Sequence, residues 1–107
     1  MAELPKRYQW FLDTYPDVAA AYEKMGSAVH TAGPLDAKTR ALVKLSISVG
    51  ARLEGGVHSH IRKALKEGVT VEEIRHAVLL ALPTIGLPST MAALSWIDDI
   101  VENRPRR

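Results

Sequence analysis

The residues of this chain best equipped for acid–base chemistry or ligand binding gather in one stretch, 53–68, "LEGGVHSHIRKALKEG". Two glycines open what reads as a helix, His58 and His60 follow one residue apart, and Gly68 supplies a C-terminal stop. On a helix two such imidazoles diverge by about 200° round the axis, since each residue adds about 100°. An H-x-H pair can converge on a metal from a strand, whereas a helix needs i, i+4 spacing, so no metal site is expected. His60 lies three residues after Val57 and four before Ala64, at the border of the apolar stripe. His58 aligns with Arg62 on the side expected to face solvent. Two readings of His60 stay open. It is either a half-buried histidine satisfied by its neighbours or an acid–base group working near neutral pH.

Lys44 is the second anomaly, because it interrupts the apolar run "ALVKLSISVG". Its ammonium must snorkel to water, pair, or face a cavity, where it would attract an anionic substrate. Of the other histidines, His76 is expected at the surface or an interface. His30 sits near a helix C-terminus, where a positive charge is favoured. The chain has no cysteine. Disulfides, thiolate metal sites and cysteine redox chemistry are therefore excluded. No Gly-rich phosphate loop, Ser-His-Asp order or paired carboxylate cluster stands out.

The chain is 107 residues long with a formal charge of +2, 47% hydrophobic and 24% charged, which suits one globular domain, 1–107. Much of the positive excess is the tail "RPRR" at 104–107, so the body is close to neutral. With two Trp, three Tyr and one Phe, and no concentrated basic face, a nucleic-acid partner is not expected. No charged-then-apolar leader is seen, and the longest apolar run, "AVLLALP" at 77–83, is too short for a bilayer. A cytoplasmic protein with no membrane partner is expected.

Elements able to position these residues read as helices throughout. The first covers 4–16, with Pro5 near its first turn and Pro16 ending it. The second covers 17–33, with Asp17 as N-cap and Gly33 as stop. The third, 35–53, begins at Asp36 and carries Leu42, Leu45, Ser46 and Val49 at helical spacing. The fourth is "GVHSHIRKALKEG", with Val57, Ile61, Ala64 and Leu65 inward. The fifth opens on a capping box, Thr70 to Glu73, and carries Ile74, Ala77, Val78, Ala81 and Leu82. Pro83 and Gly86 break or kink it. The sixth starts near Pro88, with Thr90, Ala93, Leu94, Ile97 and Val101 inward and Asp98, Asp99 and Glu102 outward. No period-2 strand pattern appears, so the fold class is all-α with about six helices. Helix five is apolar nearly all round from 77 to 82, and Leu79, Leu80 and Ile85 would form a sizeable exposed patch in a monomer. Contact with another subunit is expected there.

Over about 65 residues, with a core at 35–100, the chain resembles the carboxymuconolactone decarboxylase-like family, which includes the alkylhydroperoxidase D group. The pieces that carry this are "LDAKTR", "HIRKALKEGVTVEEI" and "IGLPSTMAAL". The resemblance implies an all-α fold and a homo-oligomer, trimer or hexamer, with active sites near subunit contacts. The redox branch carries Cys-x-x-Cys, three residues and His; laid on this chain those positions are Leu53, Gly56 and His60. The glutamate twelve residues before the first cysteine falls on Ala41. Dithiol peroxidase chemistry is therefore impossible here. The decarboxylase branch keeps a histidine in an "H-x-R-x-AL" context, here His60, Arg62, Ala64 and Leu65.

That resemblance implies lyase or isomerase-type chemistry, free of any cofactor, on a small anionic metabolite, carboxylated or a lactone. His60 is the candidate general acid/base, with Lys44, Arg62 and His58 as candidate substrate-binding groups. A pocket roofed by helix four and floored by helices three and five is expected to hold it. A non-catalytic scaffold or small-ligand binder is the alternative, and a peroxidase-related role is a second one resting on family likeness only.

Overall fold

The fold is taken from a computed structural model, which describes residues 4–102; the basic tail at 104–107 lies outside the described residues. The described residues fall into two compact units, divided between Pro34 and Leu35. All regular structure among the described residues is helical. No described helix is long and apolar enough to cross a membrane.

The first unit contains α1 (Lys6–Thr14) and α2 (Pro16–His30). A single residue, Tyr15, separates them, and its ring packs edge-on against Trp10 at 5.8 Å between centroids. Helix α2 begins one residue earlier than expected. Pro16 takes the first turn and Asp17 follows inside it rather than capping, because the fixed φ of proline suits a first helical position that needs no N–H. Only Ala19 is buried in α2, while Val18, Tyr22, Met25 and Val29 stand exposed along one stripe.

The second unit contains α3 (Ala37–Gly50), α4 (Glu54–Lys66), α5 (Val71–Leu79), α6 (Leu82–Ile85) and α7 (Leu87–Val101). Asp36 caps α3 by accepting from the Thr39 N–H at 2.8 Å. The capping box on α5 forms as expected: Thr70 Oγ1 accepts from the Glu73 N–H at 3.0 Å, and Glu73 Oε1 accepts from the Thr70 N–H at 2.8 Å. The proline and glycine of "LPTIGLP" divide the fifth expected helix into α5 and the single turn α6. Gly86, at φ +95°, then leads into α7.

Two helix ends close by the same device. After α3 the Arg52 N–H donates to the Val49 carbonyl and the Leu53 N–H to the Ser48 carbonyl, both at 3.0 Å. After α4 the Gly68 N–H donates to the Leu65 carbonyl at 3.1 Å and the Val69 N–H to the Ala64 carbonyl at 3.0 Å. This paired pattern turns the chain sharply and needs a left-handed residue at the first of the two donors. Gly68 meets the need with φ +90°, but Arg52 does so at φ +59° with a full side chain.

The core of this unit is built from Leu45, Ile61, Ile74, Ile97, Val57 and Val78, all essentially inaccessible. Each such side chain contributes about 1.5–3 kcal/mol relative to exposure. Helix α4 packs against α3, α5 and α7, so its inward arc is wide: Val57, His58, Ile61 and Ala64 are all buried. The expected inward positions of α5 and α7 hold at Ile74, Val78, Thr90, Ala93 and Ile97, whereas Leu82 and Val101 are exposed. Leu79 and Leu80 stand at 50% and 62% exposure, as the all-round apolarity of helix five implied for an isolated chain.

Two stability predictions follow from the turns and caps. Arg52→Gly should raise stability by up to about 1 kcal/mol in chemical denaturation, while Gly68→Ala should lower it by about the same amount. Hydrogen bonds from Thr70 hold the Glu73 carboxyl below its usual pKa, and those from Thr39 do the same for Asp36. A carboxylate lowered in the folded state stabilises above its unfolded pKa, and that gain is lost as pH falls through the lowered folded value. Glu73→Gln, which removes the titrating group, should therefore flatten the acid limb of a melting-temperature profile below about pH 4.5.

Candidate functional site

The α3–α4 pair sets the site. A side chain at Gly56 would meet Ser48 Oγ and Leu53 Cβ at 3.3 Å, so the two backbones approach closely at the turn. Ser48 is buried there. The helices run antiparallel away from this point. The ammonium groups of Lys44 and Lys63 sense each other's charge, and Arg40 joins them. One turn in from Ser48 comes Lys44, and one turn in from Gly56 comes His60, both half-buried. Burial first, and then the positive charges of Lys63 and Arg40, hold the Lys44 pKa below the ordinary lysine value. Lys44, Lys63 and Arg40 thus form a cationic grouping along the α3–α4 seam, with half-buried His60 on α4 and exposed Val43 and Ile47 on α3. Arg40 is anchored at one end by donating to the Leu35 carbonyl at 2.6 Å.

His58 behaves differently from the expectation. It is 2% exposed rather than solvent-facing, and its Nε2 lies 3.0 Å from Asp99 Oδ2 on α7. The physical reason is the width of α4's buried arc: the side opposite the α3 seam is covered by α7, not by water. Asp99, expected to point outward, turns half-buried toward the imidazole. Glu54, four residues before His58 on the same helix, brings its carboxylate to the pair; the three ligand atoms lie within 4.8 Å of one another. Sequence reasoning missed both acidic partners. The i, i+4 spacing of Glu54 and His58 was the signal that could have found one of them.

Arg62 is exposed, one turn beyond His58, and is not gathered with either group. His76 is exposed on α5 and His30 is half-buried in the last turn of α2. A cavity of about 230 Å³ opens between α3 and the α5–α6 segment, lined by Ser46, Val49, Gly50, Ala77, Leu80, Ala81, Thr84 and Ile85. It takes no wall from α4, so it is not the hollow expected beneath His60.

Comparison with known proteins adds relatives of limited description. The chain is 29% identical over 89 residues to an uncharacterised protein of Methanocaldococcus jannaschii, covering 82% of this chain and 86% of that one. An uncharacterised protein of Haemophilus influenzae is 38% identical over 50 residues, covering 47% of this chain and 44% of the relative. Nitrosuccinic acid decarboxylase npaB of Metarhizium robertsii is 40% identical over 74 residues, or 64% of this chain, which spans only half of that enzyme's length. No solved structure matches at the same stringency. The family model that matches covers residues 16–99, well over half of the sequence. The all-helical second unit, the seam on α3 and α4 and this match lead to one assignment: the chain belongs to the carboxymuconolactone decarboxylase family.

Proposed function

We propose that this protein is a decarboxylase-type lyase acting on a small carboxylated metabolite, with the α3–α4 seam as its substrate site. The observation that carries the reading is the gathering of Lys44, Lys63 and Arg40 around one half-buried ammonium. A grouping of positive side chains at a partly buried place attracts an anionic ligand. The relative named as a nitrosuccinic acid decarboxylase points to the substrate class, a short dicarboxylic acid with an electron-withdrawing neighbour at the reacting carbon.

Lys44 then holds the carboxylate that stays, with Lys63 and Arg40 adding to the positive field. The departing carboxylate leaves as carbon dioxide, and its bonding electron pair passes to the carbon it leaves. The electron-withdrawing neighbour delocalises that pair, and His60 donates a proton to the carbon. Water returns the proton to the imidazole, so each turnover balances without an oxidant or reductant. A positioned acid of this kind contributes about 10²- to 10⁴-fold.

A homo-oligomer belongs to this reading. The α2 stripe of Val18, Tyr22, Met25 and Val29 is 56–63% exposed, and Leu79 and Leu80 are exposed on α5. Surfaces of this kind are covered by partners in stable proteins. A second copy of the chain would dry them. A second reading, a small-ligand binder without turnover, is favoured by the apolar cavity between α3 and α5–α6, which lies away from His60 and holds only Ser46 and Thr84 as polar lining.

The reaction is tested by carbon dioxide release from nitrosuccinate and a panel of small dicarboxylates. His60→Gln should lower kcat by about 10²-fold or more with KM little changed. Lys44→Met should act mainly on KM. Because the Lys44 pKa is lowered, substrate affinity should decline as pH rises through that value, earlier than for an ordinary lysine, and Lys44→Met should abolish this limb. Equal turnover by His60→Gln overturns the assignment, and acid binding without turnover favours the binder. Sedimentation velocity checks the assembly: Leu80→Arg should shift an oligomer toward monomer while leaving helical content intact.

A further inference from the structure

We propose that Glu54, His58 and Asp99 form a three-ligand site for a divalent transition-metal ion, clamping the start of α4 to α7. This site is separate from the Lys44–His60 seam and does not depend on the reading given for it. His58 and His60 stand about 200° apart round α4, so the two sites occupy different faces of one helix.

Four observations carry the inference. The first is spacing: Glu54 and His58 are four residues apart on one helix, the arrangement that points two donors at one spot. The second is convergence from elsewhere in the fold, since Asp99 arrives on α7, 41 residues downstream, with its Oδ2 3.0 Å from His58 Nε2. Ligands about 2.1 Å from an ion stand about 3.0 Å apart in adjacent octahedral positions and about 4.2 Å apart in opposite ones. The pair already has the adjacent separation, all three ligand atoms lie within 4.8 Å of one another, and binding one ion requires the Glu54 carboxylate to draw in toward the pair. The third is charge. Two carboxylates meet at an imidazole that is 2% exposed, a grouping that a dication neutralises.

The fourth is access. Glu54 and Asp99 are only half-buried, so an ion can enter from solvent while His58 anchors it from inside. One imidazole nitrogen with two carboxylate oxygens suits Zn²⁺, Mn²⁺, Fe²⁺ or Co²⁺, and three protein donors leave at least one position for water. The expectation of no metal concerned the H-x-H pair; the proposed site omits His60 and takes Glu54 instead.

The experiment uses the 107-residue chain stripped with EDTA and titrated with ZnCl₂ by calorimetry, with Co²⁺ absorption reporting the ligand field. Expected are one Zn²⁺ per chain, a higher melting temperature with Zn²⁺, and visible Co²⁺ bands of a nitrogen–oxygen site. Glu54→Gln and Asp99→Asn should each weaken binding by about 10- to 100-fold. Asp99→Asn can keep a hydrogen bond to His58, and Glu54→Gln changes a half-buried side chain in the first turn, so circular dichroism should show both variants folded. His60→Ala and His76→Ala should leave the isotherm unchanged. Absence of stoichiometric Zn²⁺ uptake, or uptake that both carboxylate variants retain at full affinity, overturns the proposal. None of these readouts depends on turnover, so failure here is distinct from failure of the decarboxylase reading.

Discussion

The close antiparallel approach of α3 and α4 is the constraint on which the second unit depends. It is set by a turn of two paired hydrogen bonds closed through Arg52 and by the missing side chain at Gly56, which lets Ser48 fit between the helices. A methyl group there would sit 3.3 Å from Ser48 Oγ and Leu53 Cβ, tight enough that these neighbours would have to give by a few tenths of an ångström. Lys44 on α3 and His60 on α4 each stand one turn from this point of closest packing. The far side of α4 is left for α7. One helix thereby serves two polar groupings of opposite sign, a cationic seam toward α3 and an anionic cluster toward α7.

The polarity of α4 along its length fits this division. Glu54 occupies the first turn, where the helix dipole favours a negative charge, and Lys63 and Lys66 occupy the last turn, where it favours positive ones. The seam uses the cationic end and the α7 contact uses the anionic end. Where the redox branch of this family carries sulfur, this chain has Leu53 and Gly56, one at the N-cap of α4 and the other at the point of closest packing. What redox relatives devote to chemistry, this chain devotes to the approach of two helices. The imidazole at position 60 is what remains.

Much of this architecture could be read from residue order. Capping residues marked the starts of α3 and α5, and Gly68 and Gly86 marked turns that do carry positive φ. The apolar stripe of α4 was correctly placed at Val57, Ile61 and Ala64. The environment of His58 was not legible, because a single amphipathic stripe describes a helix with one neighbour, and α4 has three. Its partner lies 41 residues away in sequence, a pairing that helical periodicity cannot report. Arg52 was equally hidden, since the left-handed conformation usually announces itself through glycine. Lys44 was visible as an interruption in an apolar run, but the cations beside it come from α4 and from one turn earlier, and only packing brings all three together.

The long reach between His58 and Asp99 has a consequence for synthesis. The hairpin of α3 and α4 closes through a short turn, and such local closure is fast compared with the pace of translation. The turn between them can therefore close while α7 is still inside the ribosome. The imidazole of His58 stays hydrated until residue 99 emerges, so α7 acts as a late clasp that converts a wet surface into a buried contact. A chain stalled before that point would carry an intact hairpin with one flank unzipped, a natural handle for chaperones or proteases.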